Sequence, residues 1–241
     1  MDSFLGGGRI TWLGHAAFRV DSVGGKVVLI DPWLSNPKMP AGAREALTRV
    51  DAILPTHAHG DHLGDTVALA KRFHAEVPCI AELGHYLRAQ GVEKTKPMNK
   101  GGTVTIAGDL KATMVSADHS SGYVDKSLGP LPVYLGEPAG FVLELENGFR
   151  LYHAGDTNVF GDMKLIGELY APDIVLLPIG GNYTMGPREA AKAARLLASK
   201  RLLPMHYGTG SSLLGTPAEL RAELQGSGIE VAELEPGGSL T

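Results

Sequence analysis

The sequence predicts a layered α/β or α+β domain, and three observations carry that prediction. Short apolar and β-branched runs joined by tight turns fill the first third. Strand-like and helix-like segments alternate through the last third. No shift of composition and no Pro/Ser-rich linker divides the 241 residues, so one domain spanning 1–241 is expected.

The elements follow in order. RITWLG (9–14) and AAFRVDS (16–22) are expected to pair as a hairpin, and KVVLIDP (26–32) is a β-branched run ending at Asp31-Pro32. A Pro- and Gly-broken connection covers 33–48, with a short helix expected at AREALTR (43–49). DAILP (51–55) is almost continuously apolar, as a strand buried on both faces requires, and it empties into THAHGDHLGD (56–65). DTVALAKRF (65–73) reads as a helix with Asp65 as its cap or first-turn carboxylate. VPCIAE (77–82) is a strand that buries Cys79, and a helix near LGHYLRAQ (83–90) stops at Gly91. TVTIAG (103–108) and LKATMVSAD (110–118) form a hairpin around Gly108-Asp109.

A loop then runs from 120 to 139, a length that marks functional or mobile segments. With Tyr123, Lys126 and Tyr134 it is read as a lid, an oligomer contact or a plain surface loop. FVLELE (141–146) and FRLYHAG (149–155) flank Asn147-Gly148, the strongest hairpin signal in the chain. A helix over 161–170 leads to the strand DIVLLPIG (173–180). The next helix, 187–200, has Ala190, Ala191, Ala194, Leu197 and Ala198 on one face and Lys192, Arg195 and Ser199 off it. RLLPMHY (201–207) is a strand, PAELRAELQ (217–225) a helix and IEVAELE (229–235) the last strand.

Composition narrows the function. A formal net charge of −4 gives no general attraction to phosphate polymers, so nucleic acid is not an expected partner. One cysteine cannot make an internal disulfide. MDSFLGGGRITWLG lacks the basic start and long apolar stretch of a secretion signal, and no apolar run reaches the ~20 residues of a membrane span. A cytoplasmic protein without membrane association is expected, as a monomer or a homo-oligomer.

The chemistry concentrates at 56–65. Residues two apart in extended chain point the same way, so His57 and His59 can present imidazoles to one point. Gly60 lets the backbone turn, and Asp61 and His62 then suit a second, neighbouring point. Imidazole and carboxylate are borderline ligands that suit zinc, and also manganese, iron or nickel. Three further candidates each follow an apolar strand-like run: His119 after TMVSAD, Asp156 after RLYHAG, and His206 after RLLPM. Sites are commonly assembled from such strand-end loops.

With HxHxDH as His57-Ala58-His59-Gly60-Asp61-His62, then His119 in ADHS, Asp156 in AGDT and His206 in MHYGT, the chain resembles the metallo-β-lactamase superfamily. WLGHAAF, LIDPWL and PIGGNYTMGPREA (178–190) carry a narrower likeness to small metal-dependent hydrolases related to the ascorbate-phosphate lactonases. The resemblance implies an αβ/βα sandwich of four layers, with the metals at one edge between two sheets. It implies that His57, His59 and His119 hold one metal, that Asp61, His62 and His206 hold the other, and that Asp156 bridges them.

Two divalent ions, zinc first among the candidates, would lower the pKa of a shared water toward ~7 and supply hydroxide at neutral pH. The expected reaction is therefore hydrolysis of a small-molecule ester, lactone or phosphoester by metal-activated hydroxide. Asp61 is the residue expected to orient the nucleophile and move its proton. Asp31 is expected to accept the free N–H of a ligand histidine and fix its tautomer. His15, in the WLGHAAF turn, and Asn182, Tyr183 and Thr184 of GGNYTMG are the candidate substrate contacts. His74, His85 and His153 are read as surface or structural residues. Two alternatives stand beside the hydrolase: a nuclease or phosphodiesterase of the same superfamily, which the missing basic arm disfavours, and a non-enzymatic metal-binding protein. β-Lactam hydrolysis is not expected.

Overall fold

The structure, a computed structural model, describes residues 4–241. Its elements run β1 (Arg9–Trp12), β2 (Phe18–Asp21), β3 (Val27–Ile30), β4 (Ala52–Leu54), α1 (Gly60–Leu63), α2 (Thr66–Phe73), β5 (Val77–Ile80), α3 (Ala81–Ala89), β6 (Thr95–Met98), β7 (Thr103–Ile106) and β8 (Leu110–Ser116). They continue as β9 (Ala139–Glu144), β10 (Arg150–His153), α4 (Met163–Tyr170), β11 (Ile174–Pro178), α5 (Pro187–Leu196), β12 (Arg201–Met205), α6 (Pro217–Glu223), β13 (Glu230–Val231) and β14 (Ser239–Leu240).

Two large sheets result. The first has the order β14-β1-β2-β3-β4 and the second β13-β12-β11-β10-β9-β8-β7. The hairpins predicted for β1–β2, β7–β8 and β9–β10 are all antiparallel pairs. β10, β11, β12 and β13 run parallel, as the alternating last third requires. A small parallel pair, β5–β6, continues the first sheet through the Ile53 N–H bond of 2.9 Å to the Glu76 carbonyl.

The two faces of the second sheet explain the layers. Leu151, Ile174, Leu176, Leu203 and Met205 face the core shared with Trp12, Phe18, Leu29 and Ile53 of the first sheet. Their neighbours Tyr152, Val175, Leu177 and Leu202 face the opposite way, into a second core with Met163, Ile166, Ala190, Ala194 and Leu220 of α4, α5 and α6. Strict alternation of buried residues on both faces thus places one sheet against another and helices outside it, the αβ/βα arrangement.

Several expectations needed correction. Residues 43–46 make turns and 47–49 run on without regular structure, in place of a helix, with Ala46 N–H bonded to Gly42 O and Leu47 N–H to Arg44 O. Asp65 does not cap α2 with its side chain: Oδ2 accepts from Leu34 N–H at 2.9 Å and Oδ1 from Arg44 at 2.9 Å, so the carboxylate ties down the 33–48 connection. α5 ends at Leu196, and Ala198 takes a left-handed φ of +51°. That break exposes Ala198 and buries Ser199, the reverse of a helix continued to 200. Of IEVAELE, only Glu230–Val231 pair as strand.

Candidate active site

Every chemically suggestive residue lies where a strand ends, and the ends gather at one edge between the sheets. β4 runs into His57–His62, β8 into His119, β10 into Asp156 and β12 into His206. Bonds between the loops register them: Ala139 N–H to Thr56 O at 3.0 Å joins the two sheets, while Asn158 N–H to Asp118 O at 2.9 Å and Asp118 N–H to Thr157 Oγ1 at 2.9 Å join the ends of β8 and β10. Gly155 is required here. Its φ is +63°, and a Cβ would lie 2.8 Å from Ala139 O and 2.9 Å from Thr56 Cβ.

The structure brings all seven motif residues together. Ligand atoms of His57, His59 and His119 lie within 4.8 Å of one another, as do those of His57, His62 and Asp156, and those of His15, Asp61, His62 and His206. His57 Nε2 and His59 Nδ1 meet at 2.9 Å. Asp156 Oδ2 stands between the groups, 3.0 Å from His206 Nε2, 3.2 Å from His62 Nε2 and 3.6 Å from His119 Nε2.

Hydrogen-bond direction fixes two of the imidazoles. Fully buried Asp31 accepts from Thr56 N–H at 2.7 Å, Thr56 Oγ1–H at 2.8 Å and His62 Nδ1–H at 2.7 Å. The Thr56 hydroxyl has spent its one proton on the carboxylate, so at 3.0 Å it accepts from His57 Nδ1–H. Both rings therefore turn a bare Nε2 toward the cluster. One carboxylate sets the tautomer of His62 directly and of His57 through Thr56.

Those bare nitrogens test whether the residues fit a metal. His62 Nε2, Asp156 Oδ1 and both ring nitrogens of His206 are buried without a hydrogen-bond partner. Leaving such atoms unmatched costs about 1–3 kcal/mol each. A divalent cation satisfies imidazole lone pairs and carboxylate oxygens together, so the donor set fits a metal.

Electrostatics divide the histidines into two sets. Burial holds His57 well below the usual histidine range and lowers His59 and His119 too, which favours the neutral, ligating ring. At His62 and His206 burial acts the same way but the Asp156 carboxylate outweighs it, aided by Asp31 at His62. His62 is raised well above its ordinary value and His206 to about 9. Burial would raise the Asp156 carboxyl, yet His62 and His206 hold it well below the carboxylate range. Asp61 is likewise held low against burial, by the His15 hydrogen bond and by the nearby His206 and His62 rings.

A cavity of about 400 Å³ opens on the cluster, lined by His59, Asp61, His119, Ser120, Asp156, Tyr183 and His206. Of the candidate substrate contacts, only Tyr183 lines it, with its side chain largely in solvent. Asn182 is exposed outside the lining, and Thr184 Oγ1 turns back to Met185 O at 3.4 Å. His15 does not line the cavity: it is 2% exposed, bonded to Asp61 from behind, in a turn with a left-handed φ of +52°. Of the 120–139 loop only Ser120 reaches the cavity; the rest folds on itself through paired Tyr123 and Val133 and leans on α3 through Tyr86 Oη–H to Asp125 at 2.8 Å.

His153 is buried and structural: Nε2–H donates to Ala16 O at 3.0 Å and Nδ1 accepts from Gly155 N–H at 3.1 Å. His74 and His85 lie on the surface. Sequence reasoning missed Thr56 and Thr209. Thr56 directly precedes His57, but a threonine carries no signal until its partners are known.

Fold and site together define a metal-dependent hydrolase class, and similarity to known proteins specifies it. The β-lactamase superfamily domain matches residues 26–207. A "UPF0173 metal-dependent hydrolase" of Rubrobacter xylanophilus is 46% identical over 100% of this chain and 99% of its own length. One from Methanopyrus kandleri is 49% identical over 96% of this chain and 98% of its own. Among solved structures, the metallo hydrolase Igni18 of Ignicoccus hospitalis superposes with a TM-score of 0.85 at 35% identity, covering 96% of this chain and 97% of that one. The chain belongs to the β-lactamase superfamily and, within it, to the metal-dependent hydrolases that these relatives represent.

Proposed function

We propose that the chain hydrolyses a compact ester or lactone at a dinuclear centre. His57, His59 and His119 would hold one divalent ion, Asp61, His62 and His206 the other, with Asp156 shared. Zinc suits these donors best. When bound, such ions supply a Lewis acid and water of lowered pKa. Asp61, the half-exposed carboxylate at the cavity wall, orients the attacking water and takes its proton. Asp156, buried among three imidazoles, keeps the two positions close. Tyr183 and Ser120 meet the substrate at the mouth.

The observation that carries the substrate class is the cavity lining: it holds neither Lys nor Arg. A nucleic-acid backbone calls for such cationic partners along its length, whereas a compact ester or lactone does not. The test is a panel of chromogenic ester, lactone, phosphodiester, phosphomonoester and cephalosporin substrates, each with zinc or manganese. Metal-dependent turnover of the ester or lactone is expected, with Asp61→Asn lowering kcat by ~10²–10⁴-fold. Unchanged turnover of that variant at full metal content removes Asp61 from the reaction. Salt-sensitive RNA cleavage points to a nuclease, and no turnover at full loading to a binding protein.

A further inference from the structure

His15 comes from outside the motif, yet it makes the shortest hydrogen bond to the Asp61 carboxylate. Its Nε2 lies 3.0 Å from Asp61 Oδ2, while His62 and His206 Nε2 are each 3.8 Å from that oxygen. Its Nδ1 lies 2.6 Å from Thr209 Oγ1. The ring is clamped edge-on against Trp33, at 5.1 Å between centroids, and tilted on His206 at 3.9 Å. The His15 carbonyl accepts from Trp12 Nε1–H at 2.9 Å and His206 N–H at 3.0 Å, which staples this left-handed turn to the loop after β12.

We propose that His15 is a positioning residue: its Nε2–H holds the Asp61 carboxylate in one rotamer, and the ring is not a metal ligand. The proposal rests on the role given to Asp61 above. A carboxylate only accepts, so the 3.0 Å contact puts the ring proton on Nε2. Nδ1 then carries the lone pair, and the Thr209 hydroxyl donates into it. Thr209 thereby selects the tautomer that serves Asp61.

The competing arrangement places His15 with Asp61, His62 and His206 around one cation, since their ligand atoms lie within 4.8 Å. It requires the proton on Nδ1 and a bare Nε2 facing a carboxylate oxygen. Two features oppose it. The two imidazoles assigned to that cation, His62 and His206, both approach Asp156 Oδ2, at 3.2 and 3.0 Å, and His15 makes no such approach. Asp61 comes from the four-residue turn α1, directly after exposed Gly60, and its side chain is 36% exposed. A carboxylate so placed has several rotamers open to it unless a donor holds it.

The experiment uses the full chain loaded with zinc. His15→Asn accepts the left-handed backbone but stops short of Asp61; His15→Gln returns an N–H near the position of Nε2. Histidine-selective ¹⁵N NMR is expected to find His15 protonated at Nε2, and elemental analysis to find wild-type zinc content in both variants. On the ester or lactone that the enzyme turns over, kcat should fall about 10–100-fold in His15→Asn with KM little changed, and His15→Gln should recover most of it. Loss of one zinc equivalent in either variant, or an unprotonated Nε2 in the loaded protein, overturns the proposal, as does equal activity of both variants and wild type. If no ester or lactone is turned over, the functional reading fails, while the NMR signal and zinc count still decide the role of His15.

Discussion

Asp31 shows how one buried carboxylate organises a site. It serves three donors, and two of them fix histidines that the motif assigns to different cation positions. Asp31→Asn keeps the shape but puts an amide N–H where an acceptor is needed, so His62 and Thr56 compete for one oxygen. Metal affinity by chelator competition should fall about 10–100-fold, and unchanged affinity would remove Asp31 from this role. His153 gives a pH prediction. Burial lowers its pKa below the ordinary 6.5, so the fold keeps it neutral while the unfolded chain protonates as pH falls through that value. Its contribution to stability is therefore complete above about pH 7 and lost on acidification. Urea unfolding should show wild type losing more stability than His153→Gln between about pH 8 and pH 5; equal losses would contradict it. At this scale the sequence was readable wherever chemistry is local. Three histidines and an aspartate in six residues declare themselves, and Asp31 is marked by its strand end. Thr56 and Thr209 are not, because their meaning comes from partners distant in the chain.

Among the elements, tight turns place the motif. Gly64 ends α1 with φ +43°, and a Cβ there would lie 2.6 Å from Pro32 O and 2.7 Å from Trp33 Cα. Both neighbours are backbone, so neither can yield cheaply. Gly64→Ala should cost about 1–3 kcal/mol in urea unfolding and weaken metal binding, because the strain falls on the turn carrying Asp61 and His62. A stability within a few tenths of wild type would show that the loop relaxes freely. Short apolar and β-branched runs and the Asn147-Gly148 turn gave β1–β4, β7–β12 and their hairpins from sequence alone. The failures share a cause. AREALTR has helical residues but its anchor, Asp65, bonds to the connection from outside it. α5 stops where Ala198 turns left-handed, which no local pattern signals. β6 (TKPM) and β14 are short, polar or Pro-containing, and exist because β5 and β1 offer an edge.

At the scale of the molecule, the alternating faces of the seven-stranded sheet force the two sheets together and leave their strand ends at one edge. That edge is where residues from 57 to 206 meet, as the resemblance to the superfamily implies. Among the described residues, no helix is long and apolar enough to cross a membrane. The cavity at the edge is small and lacks Lys and Arg, which makes a compact substrate the natural occupant. The most direct measurement is anomalous diffraction at the zinc edge from crystals of the zinc-loaded chain. Two peaks are predicted on either side of Asp156, one against His57, His59 and His119 and one against Asp61, His62 and His206. Peaks remote from these side chains, or none at full occupancy in solution, would contradict the account.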